Sequence, residues 1–309
     1  MPVKIVTDST ADISPEIAKE LGIVIVPEYV IFGDKTFRDG IDLTYDELYE
    51  KLLKNQKPPS TSQPTPADFA KVYQQLATET DEIISIHLSG KLSGTYSSAL
   101  QGKKQANTRC NITVIDSHSV TMGLGMVAIS AAKSALLNEN PVKIIDKIKD
   151  EIKNIHLFAT FDTLKYLALG GRIGRARALF GSILNVKPII TMHDGEFTPV
   201  GNFRTRTKAL DKLFEISQSF VPIQEAAIIY STTPDEANSF RDRLRPLVNR
   251  DFLHVARLGP ALGVHGGPGT LVAVVRNTAS EDKQPESSSQ SVLKKPSLHL
   301  PKIKLPSHR

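Results

Sequence analysis

Glu82-Ile83-Ile84-Ser85-Ile86-His87-Leu88 runs directly into Ser89-Gly90-Lys91-Leu92-Ser93-Gly94-Thr95-Tyr96, and the reading of this stretch decides the fold. Its first seven residues form a short apolar run that reads as a buried strand. Its last eight form a hydroxyl-rich loop that leads into a helical pattern. A helix start exposes unpaired N–H groups and the positive end of the helix dipole, so it suits an anion. The same arrangement recurs to either side. Residues 3–6 are apolar and end in Thr7-Asp8-Ser9-Thr10, after which Ser14-Pro15 caps a helix. Residues 112–115 form another strand, ending in Asp116-Ser117-His118-Ser119 before a long Ala-rich helix over 122–137. Thr44-Tyr45-Asp46-Glu47 reads as a capping box. Alternation of this kind predicts an α/β fold whose first sheet is mostly parallel and covered by helices.

The second half has a different rhythm. Residues 187–192 and 196–200 flank Asp194-Gly195 and predict a hairpin. Further strands fall at 156–161, 225–230, 252–258 and 270–275, with a helix opening at Thr233-Pro234-Asp235-Glu236. This pattern predicts a second α/β domain with a mixed sheet. The boundary is placed near Asn154, giving domains over 1–154 and 155–277 and a tail over 278–309. The tail is rich in Ser, Pro and Lys and is expected to be disordered. Leu298, Leu300, Ile303 and Leu305 leave a short docking segment as the alternative.

Composition narrows the function. The 309 residues are 40% apolar, enough for a buried core. Of the formal net charge of +5, the tail contributes +3, so the body is nearly neutral. A near-neutral body without Trp and with few aromatics argues against nucleic-acid binding. The single cysteine, Cys110, permits no intramolecular disulfide and fits a reducing cytoplasm. No basic-then-apolar leader and no bilayer-length apolar run is read, so a soluble cytoplasmic protein without stable membrane insertion is expected.

Three polar positions stand out. In Thr61-Ser62-Gln63-Pro64-Thr65-Pro66, Thr65 is the natural cap, Pro66 opens the helix and Asp68 completes the box. Thr61 is then surplus to capping. Ser93 precedes Gly94, where a ligand can approach the backbone closely, and Thr95 is an equally good cap, which leaves Ser93 to face outward. His265 lies within Gly259-Pro260-Ala261-Leu262-Gly263-Val264-His265-Gly266-Gly267-Pro268-Gly269-Thr270, read as a tight, specifically shaped loop. A histidine there can donate a hydrogen bond to an anion. A structural role stays open for each of the three, and Ser9, Asp116 and Ser117 read as ordinary caps. Gly170-Gly171-Arg172-Ile173-Gly174-Arg175 is either a phosphate or partner contact or the junction of two helices. The chain carries no dinucleotide fingerprint, Walker A sequence or His-Glu-x-x-His zinc motif, and no Gly-x-Ser-x-Gly surrounds Ser93.

Six motifs occur in order: Thr7-Asp8-Ser9-Thr10-Ala11-Asp12, Thr61-Ser62-Gln63-Pro64-Thr65-Pro66, Leu92-Ser93-Gly94-Thr95-Tyr96, Gly170-Gly171-Arg172-Ile173, Asn185-Val186-Lys187-Pro188-Ile189 and His265-Gly266-Gly267-Pro268-Gly269-Thr270. Together they resemble the DegV family of bacterial fatty-acid-binding proteins. The resemblance implies two α/β domains with a long-chain fatty acid, such as palmitate, between them. It implies that Thr61, Ser93 and His265 hold the carboxylate; Ser62, Gly94 and Arg172 complete the candidate set. It implies no cofactor, no metal and no catalysis by the chain itself. A separate ATP-dependent kinase subunit would phosphorylate the presented acid to an acyl phosphate. Lys91 stands where the family often has Gly, and the tail is no part of the family pattern. The competing reading is an acyl hydrolase with Ser93 as nucleophile, His265 as base and Asp116 as orienting acid.

Overall fold

A computed structural model describes residues 2–54, 58–179 and 186–277. The tail from residue 278 onward and Asn185 of the fifth motif lie outside the described residues. The first half runs β1 (Lys4–Asp8), α1 (Pro15–Leu21), β2 (Ile23–Val26), β3 (Tyr29–Phe32), β4 (Lys35–Arg38), α2 (Tyr45–Lys54), β5 (Ser60–Ser62), α3 (Pro66–Leu76), β6 (Glu82–His87), α4 (Thr95–Ala106), β7 (Asn111–Asp116), α5 (Met122–Leu136) and α6 (Pro141–Lys153). The second half runs β8 (Ile155–Thr160), α7 (Lys165–Leu169), β9 (Lys187–His193), β10 (Glu196–Phe203), α8 (Arg206–Gln218), β11 (Ile223–Tyr230), α9 (Pro234–Leu244), β12 (Leu253–Arg257), α10 (Pro260–Gly266) and β13 (Leu271–Asn277).

The first sheet has the order β2-β1-β6-β7, and every neighbouring pair is parallel. Its central strands are buried on both faces, which is why β6 reads as an almost unbroken apolar run. Alternate side chains serve different cores. Ile83 faces Phe69 and Tyr73 of α3, while Ile84 and Ile86 face α5. The expected caps form: Ser14 Oγ accepts from Ile17 N, and Thr65 with Asp68 makes a complete capping box. Thr44 and Glu47 bond reciprocally at the start of α2.

The second sheet has the order β10-β9-β8-β13-β11-β12, antiparallel except for the parallel β11–β12 pair. The chain thus has an α/β fold with one parallel and one mixed sheet. Asp194 and Gly195 both have positive φ, as a two-residue turn between right-twisted strands requires. The tip of this hairpin reaches the first sheet, where Ser89 Oγ donates to Gly195 O at 2.7 Å.

Helix α5 joins the two layers. It packs on β1 and β6 on one side and on β8 and β13 on the other. Its side chains from Met122 to Ala132 are all buried, as expected of a helix that is apolar all round. One continuous core therefore holds Ile5 and Ile84 together with Leu157 and Val272. The carboxyl ends of the parallel strands face the inner surface of the mixed sheet across this core.

A third sheet, with the antiparallel order β4-β3-β5, has no counterpart in the sequence reading. Ser60-Thr61-Ser62 shows no apolar alternation, so it reads as loop. It becomes a strand only because β3 offers it a free edge, with Val30 opposite Thr61. The stretch around His265 also differs from expectation. It is not a loop but the helix α10, with Gly259 as N-cap and Pro260 in the first turn.

Candidate functional site

Between the strand ends and the mixed sheet lies a cavity with about 80 Å³ open to the centres of water molecules. That is several times the roughly 10–15 Å³ that admits one water. The mixed sheet and its neighbours supply an apolar wall of Leu157, Ala159, Phe161, Leu167, Phe197 and Val272. Polar side chains gather from elsewhere: Thr10, Glu28, Thr61, Ser93, Arg172 and His265. A cavity of this composition suits a ligand with a polar or anionic head and an apolar body.

His265 is placed by the way α10 is held. Seven residues with two glycines make a poor helix by propensity. Two buried carboxylates compensate by accepting its first N–H groups: Asp12 from Gly259 N at 2.9 Å and Asp39 from Ala261 N at 3.2 Å. Thr121 and Ser9 donate to the same two carboxylates. Burial nevertheless holds Asp12 well above the usual carboxylate range and pushes Asp39 up to about 6. Val264, one residue before His265, is anchored with Leu43 and Leu48 in a small core under α2.

In the last turn of α10, His265 Nε2 lies 2.7 Å from Thr61 Oγ1. Its other nitrogen, Nδ1, is buried without a partner. The ring packs so closely on Gly170 that a Cβ there would lie 2.1 Å from Nδ1. Burial pushes the imidazole down to about 4, and the Arg172 guanidinium adds to the shift, so the ring is neutral at physiological pH. A buried N–H without an acceptor costs more than a bare lone pair. The proton is therefore assigned to Nε2, which donates to Thr61 and leaves the Thr61 hydroxyl hydrogen for a ligand.

Ser93 approaches from the β6–α4 loop. Its Oγ lies 2.9 Å from Thr95 Oγ1, and Thr95 Oγ1 lies 2.5 Å from Glu28 Oε1. Thr95 is not the cap that the sequence suggests. Gly94 is the N-cap and makes no side-chain cap bond, while Thr95 sits buried in the first turn with its hydroxyl turned toward Glu28. Glu28 itself was missed in the sequence. The signal was there, as a lone carboxylate within the apolar run over residues 23–32. Burial and the nearby Asp8 charge hold its carboxyl well above the usual range, against the pull of the Thr95 bond.

The structure brings Thr61 and His265 into direct contact and sets Ser93 and Arg172 in the same cavity wall. Arg172 Nε donates to Leu92 O at 3.2 Å and its Nη1 to Gly170 O at 2.6 Å, which fixes the guanidinium beside the Ser93 loop. Ser62 and Gly94 are not among the residues lining the cavity. Ser62 is exposed and donates to Gln63 O, as strand alternation away from Thr61 requires. Gly94 instead gives room to Gln63, whose Nε2 would lie 2.5 Å from a Cβ there. It is thus where the two hydroxyl-rich loops touch. Asp116 accepts from Gly90 N and His118 N and so ties its loop to the β6–α4 loop, while Ser117 Oγ accepts from Ser119 N within its own loop. Ser9 accepts from Glu28 N and donates to Asp39 rather than capping a helix.

A Ser–His–Asp series does occur, but elsewhere. Ser85 Oγ lies 2.7 Å from His87 Nε2, and His87 Nδ1 lies 3.0 Å from Asp8 Oδ2. All three side chains are wholly buried, and Tyr73 closes the series at Ser85. No substrate reaches Ser85 there, and the series satisfies polar groups in the core. Among the described residues, no cluster of three or more His, Cys, Asp or Glu side chains is placed to hold a metal ion. No helix among them is long and apolar enough to cross a membrane.

Comparison with known proteins matches this geometry to one family. The family profile described as "Uncharacterised protein, DegV family" matches residues 2–277. A DegV domain-containing protein of Deinococcus radiodurans is 36% identical over 275 residues, covering 88% of this chain and 97% of that protein. A DegV family protein from Thermus thermophilus, described as fatty acid binding, superposes with a TM-score of 0.85 at 30% identity, over 90% of this chain and 100% of its own. DegV of Bacillus subtilis, described as a fatty acid binding protein, gives a TM-score of 0.81 at 30% identity with the same coverage.

Proposed function

The chain belongs to the DegV family, and from that premise we propose that it binds a long-chain fatty acid non-covalently and presents its carboxylate to a separate kinase subunit. In this reading, Thr61, Ser93 and His265 form the head-group site, with Arg172 supplying positive charge beside it. The observation that carries the reading is the joining of an apolar cavity to the Thr61–His265 pair and the Ser93 hydroxyl. Thr61 donates to one carboxylate oxygen, and the neutral imidazole fixes the direction of that donation. A hydrogen bond to a charged group contributes about 1.5–3 kcal/mol. Each buried CH₂ contributes about 0.8 kcal/mol before ordering costs. The acyl chain therefore sets most of the affinity, and the polar trio sets which atom reaches the cavity mouth.

Presentation to a partner accounts for the composition of the site. The reaction would transfer the terminal phosphoryl group of ATP to the bound carboxylate, giving an acyl phosphate and ADP. The sequence offers no phosphate-cradling loop for ATP, so the nucleotide is assigned to the kinase subunit. Its place of work is assigned to the cytoplasm, on the single cysteine, Cys110.

The hydrolase reading loses its geometry. A Ser–His pair needs the base hydrogen-bonded to the nucleophile and oriented by an acid. Here His265 Nε2 faces Thr61 and its Nδ1 has no partner, while the Asp116 oxygens accept backbone N–H groups.

The proposal is tested by denaturing the purified protein, extracting it with organic solvent and identifying lipids by mass spectrometry. One fatty acid per chain is the expected result. An empty extract, together with no binding of added palmitate, would overturn the proposal. Acyl phosphate formation on mixing the loaded protein with a fatty acid kinase catalytic subunit and ATP tests the presentation step.

A further inference from the structure

The head-group residues, Arg172 and the apolar wall leave one charged group among the lining residues without a part. Glu28 follows β2, is 4% exposed, and lines the cavity beside Ser93. A carboxylate in an anion site is unfavourable unless something offsets it. Its surroundings show what does.

Glu28, Thr95 and Ser93 form a single series of oxygens, at 2.5 Å and then 2.9 Å. Each hydroxyl has one hydrogen to give, and an ionised carboxylate can only accept. With Glu28 ionised, Thr95 donates to Glu28, and Ser93 must donate to Thr95 to keep the second bond. Ser93 then presents only lone pairs to the cavity. Protonation gives Glu28 an O–H to donate, which allows the series to run the other way. Glu28 donates to Thr95, Thr95 donates to Ser93, and the Ser93 hydrogen is free for a ligand. The backbone Thr95 N–H, 3.4 Å from Ser93 Oγ, is compatible with that direction because Ser93 then accepts twice and donates once.

We propose that protonated Glu28 is a positioning residue that aims the Ser93 hydroxyl at the ligand carboxylate through Thr95, so that carboxylate binding is coupled to a proton on Glu28. This rests on the fatty-acid reading above and adds to it a proton-dependent selection for acids over neutral lipids. The charged groups facing Glu28 are Asp8 from β1, Asp39 after β4 and Arg172. Asp8 is in turn bonded to His87, and Asp39 to Ser9 and Ala261. Burial and the two aspartates favour the protonated acid, and the hydrogen bond from Thr95 and the Arg172 charge oppose them. A second anion in the cavity favours it further.

The experiment measures the affinity of the full chain for decanoate, which stays monomeric, and for the neutral decanol, between pH 6 and pH 10. Wild-type protein and Glu28→Gln are compared, since the Gln amide can donate permanently to Thr95. Wild-type affinity for decanoate is expected to fall about 10- to 100-fold toward alkaline pH, the equivalent of one charge-assisted hydrogen bond. Decanol affinity should stay flat, and Glu28→Gln should bind decanoate with a flat profile. Parallel profiles for the two proteins would overturn the coupling while leaving fatty-acid binding intact. Failure of wild-type protein to bind either compound or palmitate at any pH would overturn the fatty-acid reading and the coupling with it. Thr95→Val gives a second route should Glu28→Gln not fold. It should lower decanoate affinity about tenfold at pH 7 and leave decanol unchanged, and equal loss for both ligands would count against the relay.

Discussion

Replacing Gly170 with Ala tests whether the head-group site depends on the packing of His265. Gly170 has an ordinary negative φ, so Ala is conformationally allowed and the effect is steric. The new Cβ would lie 2.1 Å from Nδ1, where ordinary contact begins at 3.4 Å. The ring must therefore retreat by about 1.3 Å. Nε2 lies on the far side of the ring and is already 2.7 Å from Thr61 Oγ1, so the retreat either compresses that contact or swings it away. Overpacking costs about 1–3 kcal/mol, and loss of the hydrogen bond adds about 0.5–1.5 kcal/mol. A change of this size lowers Tm by about 3–10 °C in a chain of this length. Thermal unfolding and decanoate affinity should both be measured, in wild-type and in His265→Ala backgrounds. The two substitutions should couple by about 1–3 kcal/mol, because removing the ring gives the Cβ its space. A Tm within about 1 °C of wild type, or an equal cost of Gly170→Ala with and without the ring, would refute the packing argument.

Three further predictions follow from the same geometry. The folded His265 titrates near 4, below its unfolded value, so the unfolded chain binds more protons between that value and about 6.5. Its contribution is full above pH 6.5 and is lost as pH falls toward 4, by up to about 3 kcal/mol. Asp39, raised to about 6, acts with the opposite sign over an overlapping window. The His265 term should thus appear as the difference between wild-type and His265→Gln denaturation curves across pH 4–7, and superimposable differences would reject it. Thr61→Val and Ser93→Ala should each weaken decanoate binding about tenfold while changing decanol binding little, read by titration calorimetry. Asp39→Ala should cost about 1–3 kcal/mol by unseating the start of α10, and should lower ligand affinity although Asp39 touches no ligand.

Much of the fold was legible because it rests on local rules. Three of the four parallel-sheet strands, β1, β6 and β7, are apolar runs read from the sequence, whereas β2 was not read, and each expected strand lies within about three residues of its observed position. The caps at Ser14 and Thr65 and the Asp194-Gly195 turn formed as read. The β4-β3-β5 sheet was not legible. Its strands are short, and β5 is polar throughout, so its pairing depends on an edge supplied by another part of the chain. Helix α10 was hidden for a related reason. Its glycines and prolines argue for a loop until Asp12 and Asp39 accept its first N–H groups from 247 and 222 residues away.

The sequence by itself determined the α/β class and the change from parallel to mixed sheet. It also brought out Thr61, Ser93 and His265, since hydroxyls in excess of capping need and a histidine among glycines are visible in the chain. Only the tertiary structure decided that Thr61 bonds to His265, that Gly170 makes room for the imidazole and that Thr95 turns toward Glu28. Residue spacing records periodicity along one element, whereas a charge's protonation and a hydroxyl's direction are set by what is buried beside it. Those neighbours come from five separated stretches of chain and become neighbours only when the two sheets close on α5.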